Sequence, residues 1–204
     1  MNSILNLFFV LTFLTSFGQS EIGIGVVSIH FDDTTKIEFY ETSELNKSSR
    51  TIEFFNDESI KGWNIKNLES HKEWLKPESM WLDYGQFRFR CKTKKEGSFE
   101  VYITESQTMW ILDQDITQFM NWEEYLQTMF SVERTDKTTQ KIYSKPFIKS
   151  EIIESKNDCF RVKQMKGEWI EVETAEHCKT QKNISGWIRW KDGNKILINY
   201  YTTG

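Results

Sequence analysis

The sequence has only 2 Pro, and it has few of two residue types that often carry catalysis or hold metals, with 3 Cys and 3 His among 204 residues. No Cys-x-x-Cys pair is present, so neither a zinc ribbon nor a redox motif is supported. The Gly-x-Ser-x-Gly, His-Glu-x-x-His and phosphate-loop patterns are also missing. The motifs therefore favour no common hydrolase or nucleotide-binding class, and we expect neither an enzyme nor a cofactor.

The sequence also lacks an excess of positive charge. It contains 26 Lys and Arg against 30 Asp and Glu, a net charge of -4, and its pI is about 5.5. Because binding to a phosphate backbone requires a basic surface, nucleic acid is not expected as a partner.

The remaining routes to catalysis rest on residues without supporting surroundings. Cys91 with His30 or His71 would be a thiol–base pair, but the strand pattern around Cys91 offers nothing that would activate a thiol. A glycosidase needs two inward carboxylates across a cleft. Acidic pairs such as Asp113 and Asp115 are more typical of a solvated surface.

The three cysteines separate into a candidate pair and a single thiol. Cys159 and Cys178 lie in the same half of the chain and would be the disulfide partners in an oxidising compartment, although the sequence leaves their bridging open. Cys91 alternates with Phe89, which predicts a buried free thiol. His177 beside Cys178 would add one more metal ligand, but a loop histidine beside a bridged cysteine is the favoured interpretation.

Long apolar runs are missing after the first 14 residues. Residues 4–14 are apolar and are followed by small residues, which predicts a signal peptide over residues 1–20, cleaved near Gly18 or Ser20. The apolar core is about half the roughly 20 residues of a membrane span. We expect a chain without a stable membrane span, located in the periplasm or outside the cell. The alternative is a buried N-terminal element of a cytosolic protein.

Aromatic and alternating segments are abundant, with 8 Trp and 15 Phe. Short runs of period two, separated by polar turns, predict a mainly β protein. These runs cover residues 24–31, 36–40, 51–55, 86–91, 98–103, 108–112, 141–143, 151–153, 159–163, 168–172, 186–190 and 195–200. Asn121 followed by Glu124 forms a capping-box pattern that predicts one short helix. The polar stretch 135–140 is interpreted as a link between two halves.

The two halves repeat one hairpin plan, and the second half resembles a known family. Gly167-x-Trp169-x-x-Val172, followed by Ser185-Gly186-Trp187-Ile188, resembles the bacterial SH3-like domain over about residues 141–200. Residues 36–112 look like a divergent copy, with Phe99 and Met109-Trp110 at the matching positions. Together the halves resemble exported SH3-like proteins of Bacteroidota-type bacteria.

This resemblance implies two small SH3-like β-barrels in tandem with a short helical segment between them. The predicted units are a first module with the helix over residues 21–134 and a second module over residues 135–204. The family implies a non-catalytic binding or scaffold protein of the cell envelope.

The abundant tryptophans either pack the two modules together or form an aromatic groove that recognises cell-wall peptide or glycan, or that contacts an envelope protein. The rings predicted to line it are Trp169, Trp187 and Tyr143 in the second module, and Trp110 and Tyr102 in the first. Two alternatives stay open: an inhibitor or immunity-type protein that binds an exported enzyme, and a hydrolase.

Overall fold

The first sheet contains nine antiparallel strands. The structure is a computed structural model that describes residues 21–178 and 183–202. The strands are β1 (Gly25–Ile29), β2 (Lys36–Tyr40), β3 (Ser48–Asp57), β4 (Gly62–Ile65), β5 (Ser79–Trp81), β6 (Gln86–Lys95), β7 (Ser98–Tyr102), β8 (Thr108–Leu112) and β9 (Thr117–Asn121). Their order is β4-β3-β2-β8-β7-β6-β1-β9, and β5 pairs with β6. The sheet curls into a half-barrel.

Alternation along these strands produces the first core. In β6 the side chains of Phe87, Phe89 and Cys91 are fully buried, and the residues between them are partly exposed. Because successive side chains of a strand point to opposite faces, one face of the curled sheet is apolar throughout. The short helix α1 (Leu68–His71) and a 3₁₀ turn (Leu82–Tyr84) lie along the same half of the chain.

The second sheet contains five antiparallel strands. They are β10 (Ser131–Arg134), β11 (Phe160–Lys166), β12 (Trp169–Thr174), β13 (Ser185–Arg189) and β16 (Ile198–Tyr201), in the order β13-β12-β11-β10-β16. A 3₁₀ turn (Glu176–Cys178) and a small hairpin of β14 (Lys191–Asp192) and β15 (Lys195–Ile196) complete this half. The hairpin turn contains Gly193 at positive φ.

The predicted helix is confirmed as α2 (Trp122–Gln127). The Asn121 side chain accepts a hydrogen bond from the Glu124 amide at 3.0 Å, and the Glu124 carboxylate accepts one from the Asn121 amide at 2.9 Å. This capping box satisfies two backbone donors that a helix start leaves unpaired. Trp122, Tyr125 and Leu126 then pack into the second core.

Strand β1 joins the two cores. All five of its residues are buried, although it belongs to the first sheet. Val27 packs in the first core, whereas Val26 packs with Trp122 and Ile188 in the second. The second half of the chain therefore covers the outer face of β1.

The mainly β prediction is confirmed, but two tandem SH3-like barrels are not. The first sheet has nine strands rather than five. β10, at residues 131–134, pairs with β11 and β16 and so belongs to the second sheet. None of the helices in the described part of the chain has the length and apolar character needed to cross a membrane.

Candidate aromatic binding surface

Three of the five predicted site residues lie together on the outer face of the second sheet. Trp169 pairs with Arg189 across β12 and β13, and Glu171 pairs with Trp187. Residues that pair directly across strands share a face, as do residues two positions apart in one strand. Trp169 and Trp187 therefore lie on one face, and both are partly exposed.

Tyr143 joins this face through main-chain pairing. Its amide donates to the Trp187 carbonyl at 2.8 Å, and its carbonyl accepts from the Trp187 amide at 2.7 Å. The Tyr143 and Trp169 ring centroids are 5.4 Å apart with an interplanar angle of 86°, an edge-to-face contact. We call Tyr143, Trp169 and Trp187 the aromatic surface.

Gly186 explains why residues 142–153 can lie so close to β13. A Cβ at Gly186 would lie 2.7 Å from Ile142 Cγ2 and 3.0 Å from the Tyr143 carbonyl oxygen. Any larger residue would push this segment away and separate Tyr143 from Trp187. The glycine of the Gly-Trp pair noted in the sequence is thus required by packing.

Two grooves border the aromatic surface. The first, of about 520 Å³, is lined by Thr135, Asp136, Thr139, Gln140, Lys141, Tyr143, Ile148, Arg189, Asp192, Lys195 and Leu197. The second, of about 550 Å³, is lined by Lys145, Pro146, Phe147, Lys166, Gly167, Glu168 and Trp169. We call them the Tyr143 groove and the Trp169 groove. The two grooves are neighbours, because the Tyr143 and Trp169 rings are in contact.

Arg189 holds the acidic groups between the two grooves. Its guanidinium donates to Glu168 at 2.6 Å and to Asp192 at 2.9 Å. The hydrogen bond from Arg189 lowers the pKa of Glu168 below its ordinary value. Hydroxyl and backbone donors of Thr138 and Thr139 lower the pKa of Asp136 in the same way. These carboxylates are therefore ionised at neutral pH.

Trp187 lines neither of these grooves, and the other two predicted rings do not line them either. Trp110 is 8% exposed and lies beneath the Lys95 ammonium group, which is 4.9 Å from its ring. Tyr102 is 5% exposed, with Arg90 over its ring at 5.1 Å. Long cationic side chains and neighbouring strands cover both rings.

Sequence reasoning missed the exposed apolar residues. Phe147 and Ile148 are both exposed beside the aromatic surface, in a stretch that shows no strand or helix period. On the first half, Trp81 and Tyr84 are 61% and 65% exposed, and Ile60 is also exposed. The one signal in the sequence is the apolar pair Phe147-Ile148, which follows Pro146 in a polar loop.

The structure joins Cys159 and Cys178 in a disulfide, with their Cα atoms 6.0 Å apart. His177 Nε2 lies 3.4 Å from Cys159 Sγ, and the His177 ring stacks on Phe130. The three groups are close enough to share a metal ion, but in the disulfide neither sulfur is a thiolate that could bind one. Cys91 is buried, and burial raises the pKa of its thiol to about 12.

A smaller hollow of about 240 Å³ lies between β2 and β8. Its charged groups, Lys36 and Glu38, pair with each other at 2.9 Å. Its lining contains no aromatic side chain among the described residues, so it offers less to a ligand than the aromatic surface does.

No family model matches the chain, and no curated protein matches it. Among solved structures, the chain is similar to the structure of NlpC2 from Trichomonas vaginalis, with a TM-score of 0.35 and 13% identity. The match covers 89% of this chain and 49% of that protein, so the chain spans about half of its length.

Proposed function

We propose that the protein is an exported, non-catalytic binding protein of the cell envelope that holds a wall glycan or peptide on the aromatic surface. The observation that carries this proposal is the convergence of Tyr143, Trp169 and Trp187 on one partly exposed face. Rings held rigidly by a sheet offer stacking area at little entropic cost, and the two bordering grooves extend that area.

The electrostatics argue against a general acid at this surface. A general acid requires a carboxyl group with a raised pKa. Glu168 and Asp136, which line the grooves, have lowered pKa values instead. The buried Cys91 thiol, with its raised pKa, is equally unsuited to act as a nucleophile.

Two further elements belong to the proposal. The five antiparallel strands of the second sheet, with Gly167 at positive φ in the turn between β11 and β12, support an SH3-like barrel for the second half. Export relies on the signal peptide proposed for residues 1–20, which lie outside the described residues. The disulfide between Cys159 and Cys178 suits an oxidising compartment.

The test is a binding isotherm of the purified chain on peptidoglycan, with Trp187→Ala and Trp81→Ala compared. We expect Trp187→Ala to weaken binding at least tenfold, since a central aromatic contact contributes about 2 kcal/mol or more. Trp81 is an exposed tryptophan of the first half, so Trp81→Ala is the matched control and keeps wild-type affinity. Thermal melts verify that both variants fold. Absence of binding by the wild type, or full binding by Trp187→Ala, refutes the proposal.

A second candidate function, binding to an exported enzyme, is favoured by the exposed residues of the first half. Ile60, Trp81 and Tyr84 are apolar and exposed on a half whose residues 1–134 hold 13 Lys and Arg against 21 Asp and Glu. An acidic half with exposed apolar side chains suits a basic protein partner. In that case Trp81→Ala, rather than Trp187→Ala, abolishes complex formation in a pull-down from a secreted fraction.

A further inference from the structure

The charge of the chain is divided unevenly between its halves. Residues 1–134 hold 13 Lys and Arg against 21 Asp and Glu, a net charge of -8. Residues 135–204 hold 13 Lys and Arg against 9 Asp and Glu, a net charge of +4. The aromatic surface therefore lies on a basic half of an acidic protein, which the net charge of the whole chain conceals.

Four lysines are placed around the aromatic surface. Lys141 and Lys195 line the Tyr143 groove, and Lys145 and Lys166 line the Trp169 groove. Lys166 is also the cross-strand partner of Trp169. Among the residues that the structure describes, none of these four ammonium groups has a carboxylate partner within salt-bridge distance.

The neighbouring acidic groups are already engaged. Glu168 and Asp192 bind Arg189, and the Asp136 carboxylate accepts hydrogen bonds from Thr138 and Thr139. The charged side chains that line each groove sum to +1, with three cations and two carboxylates in the Tyr143 groove and two cations and one carboxylate in the Trp169 groove. A negatively charged ligand would gain attraction from both grooves at once.

The main-chain groups of Tyr143 and Trp187 are already paired at this surface. Tyr143 and Trp187 exchange both hydrogen bonds, and the Ser144 amide donates to the Glu151 carbonyl at 2.8 Å. An extended peptide recognised by strand addition needs an unpaired sheet edge. Residues 142–153 cover that edge beside β13, so this surface recognises ligands through ring faces and ammonium groups.

We propose that the ligand of the aromatic surface is an anionic glycan, a chain of sugar rings carrying carboxylates. The inference rests on the proposed binding function and names its ligand class. Trp169, Trp187 and Tyr143 contact the sugar rings, and the four lysines bind the carboxylates. Exposed ammonium groups make this attraction sensitive to salt.

The experiment uses galacturonan hexasaccharide and its methyl ester, which share the same rings but differ in charge. Calorimetry of the purified chain is expected to give binding of the acid form at least tenfold tighter than that of the ester at low salt. Raising the salt concentration narrows this difference. Lys141→Gln with Lys195→Gln should weaken binding of the acid form by three- to tenfold and leave that of the ester unchanged. Lys47→Gln with Lys76→Gln, two exposed lysines of the first half, is the matched control with wild-type affinity.

Each other outcome refutes the inference. If the chain binds the acid and the ester equally well, the surface does not recognise the charge of the ligand. The same conclusion follows if the Lys141/Lys195 variant binds the acid form as tightly as the wild type does. Competition by poly-glutamate equal to that of the hexasaccharide assigns the surface to acidic peptides instead. If the chain binds peptidoglycan through Trp187 but does not distinguish the acid from the ester, the proposed function is kept. Only the inference that the ligand is anionic is then refuted. Loss of binding to every glycan refutes both.

Discussion

At the scale of single residues, Tyr125 and Tyr200, between the two halves, link stability to pH. The Tyr200 hydroxyl donates to the Glu78 carboxylate, which also binds Arg90 at 3.2 Å. Tyr125 is buried beside this cluster, and its ring stacks edge-to-face on Tyr200. Burial raises the pKa of the Tyr125 hydroxyl to about 12 and raises that of Tyr200 as well.

These pKa shifts predict that the free energy of unfolding falls at alkaline pH. An unfolded tyrosine has a pKa of about 10, so the folded state favours the protonated form of Tyr125. The resulting stabilisation is complete below pH 10 and is lost between about pH 10 and pH 12, by up to roughly 1.4 kcal/mol per pH unit. Urea unfolding of the wild type and Tyr125→Phe across this range measures it, and the variant should show the shallower dependence.

Tyr84→Phe is the control for this prediction, because it removes an exposed hydroxyl. It should reproduce the wild-type dependence on pH. If Tyr125→Phe and the wild type lose stability in parallel above pH 10, burial of Tyr125 does not account for the alkaline loss.

The chemical type of the site residues was predictable, but their exposure was predictable only in part. Trp169 and Trp187 occupy outward positions of regular alternation in adjacent strands, and the pattern alone indicates this. Trp110 and Tyr102 occupy equivalent positions in their own strands. Their burial depends on Lys95 and Arg90, whose positions are set by strand pairings over longer distances in the sequence.

At the scale of elements, the packing of residues 142–153 against β13 decides whether the aromatic surface exists. The Ile153 amide donates to the Ile142 carbonyl at 2.8 Å, and Ile142 is buried. This segment has few strand pairings of its own and depends on close contact with Gly186. Its position is therefore sensitive to a single methyl group.

Gly186→Ala is predicted to destabilise the protein by about 1–3 kcal/mol, because the added Cβ would lie 2.7 Å from Ile142 Cγ2. The same change should displace Tyr143 and weaken ligand binding more than the loss of stability explains. Urea midpoints and the peptidoglycan isotherm measure the two effects. Ser185→Ala, an exposed neighbour in β13, is the control and should change neither. Wild-type binding by Gly186→Ala would show that this contact does not position the surface.

Segments with a strong alternating or capping pattern were predicted correctly as strands or helices, whereas segments with a weak pattern were missed. Lys36–Tyr40 and the helix after Asn121 lie where the sequence placed them. Thr117–Asn121 and Ser131–Arg134 were missed, since neither alternates clearly and each becomes a strand by pairing with distant residues. Tertiary pairing overrides weak local preference in such segments. For this reason, the number of strands in the first sheet could not be predicted from the sequence.

At the scale of the whole molecule, two cores and two opposite charges are built on one shared strand. Val26 and Val27 are adjacent and fully buried, yet they pack in different cores. Trp122 strengthens the connection, because its indole donates to the Gly23 carbonyl at 3.1 Å and its ring contacts Trp190 at 5.4 Å. The acidic half and the basic half are thus held together by apolar packing along β1.

This shared strand predicts that both halves unfold in one cooperative transition. Val26→Ala removes buried apolar volume from the second core and should cost about 2 kcal/mol. Because β1 is hydrogen-bonded to β6 and β9, we expect the slowest-exchanging amides of β6 and β12 to lose protection equally. Hydrogen exchange measures both strands, and Val27→Ala, the matched change in the first core, should give the same equal loss. If Val26→Ala lowers protection in β12 alone, the halves unfold independently and β1 does not couple them.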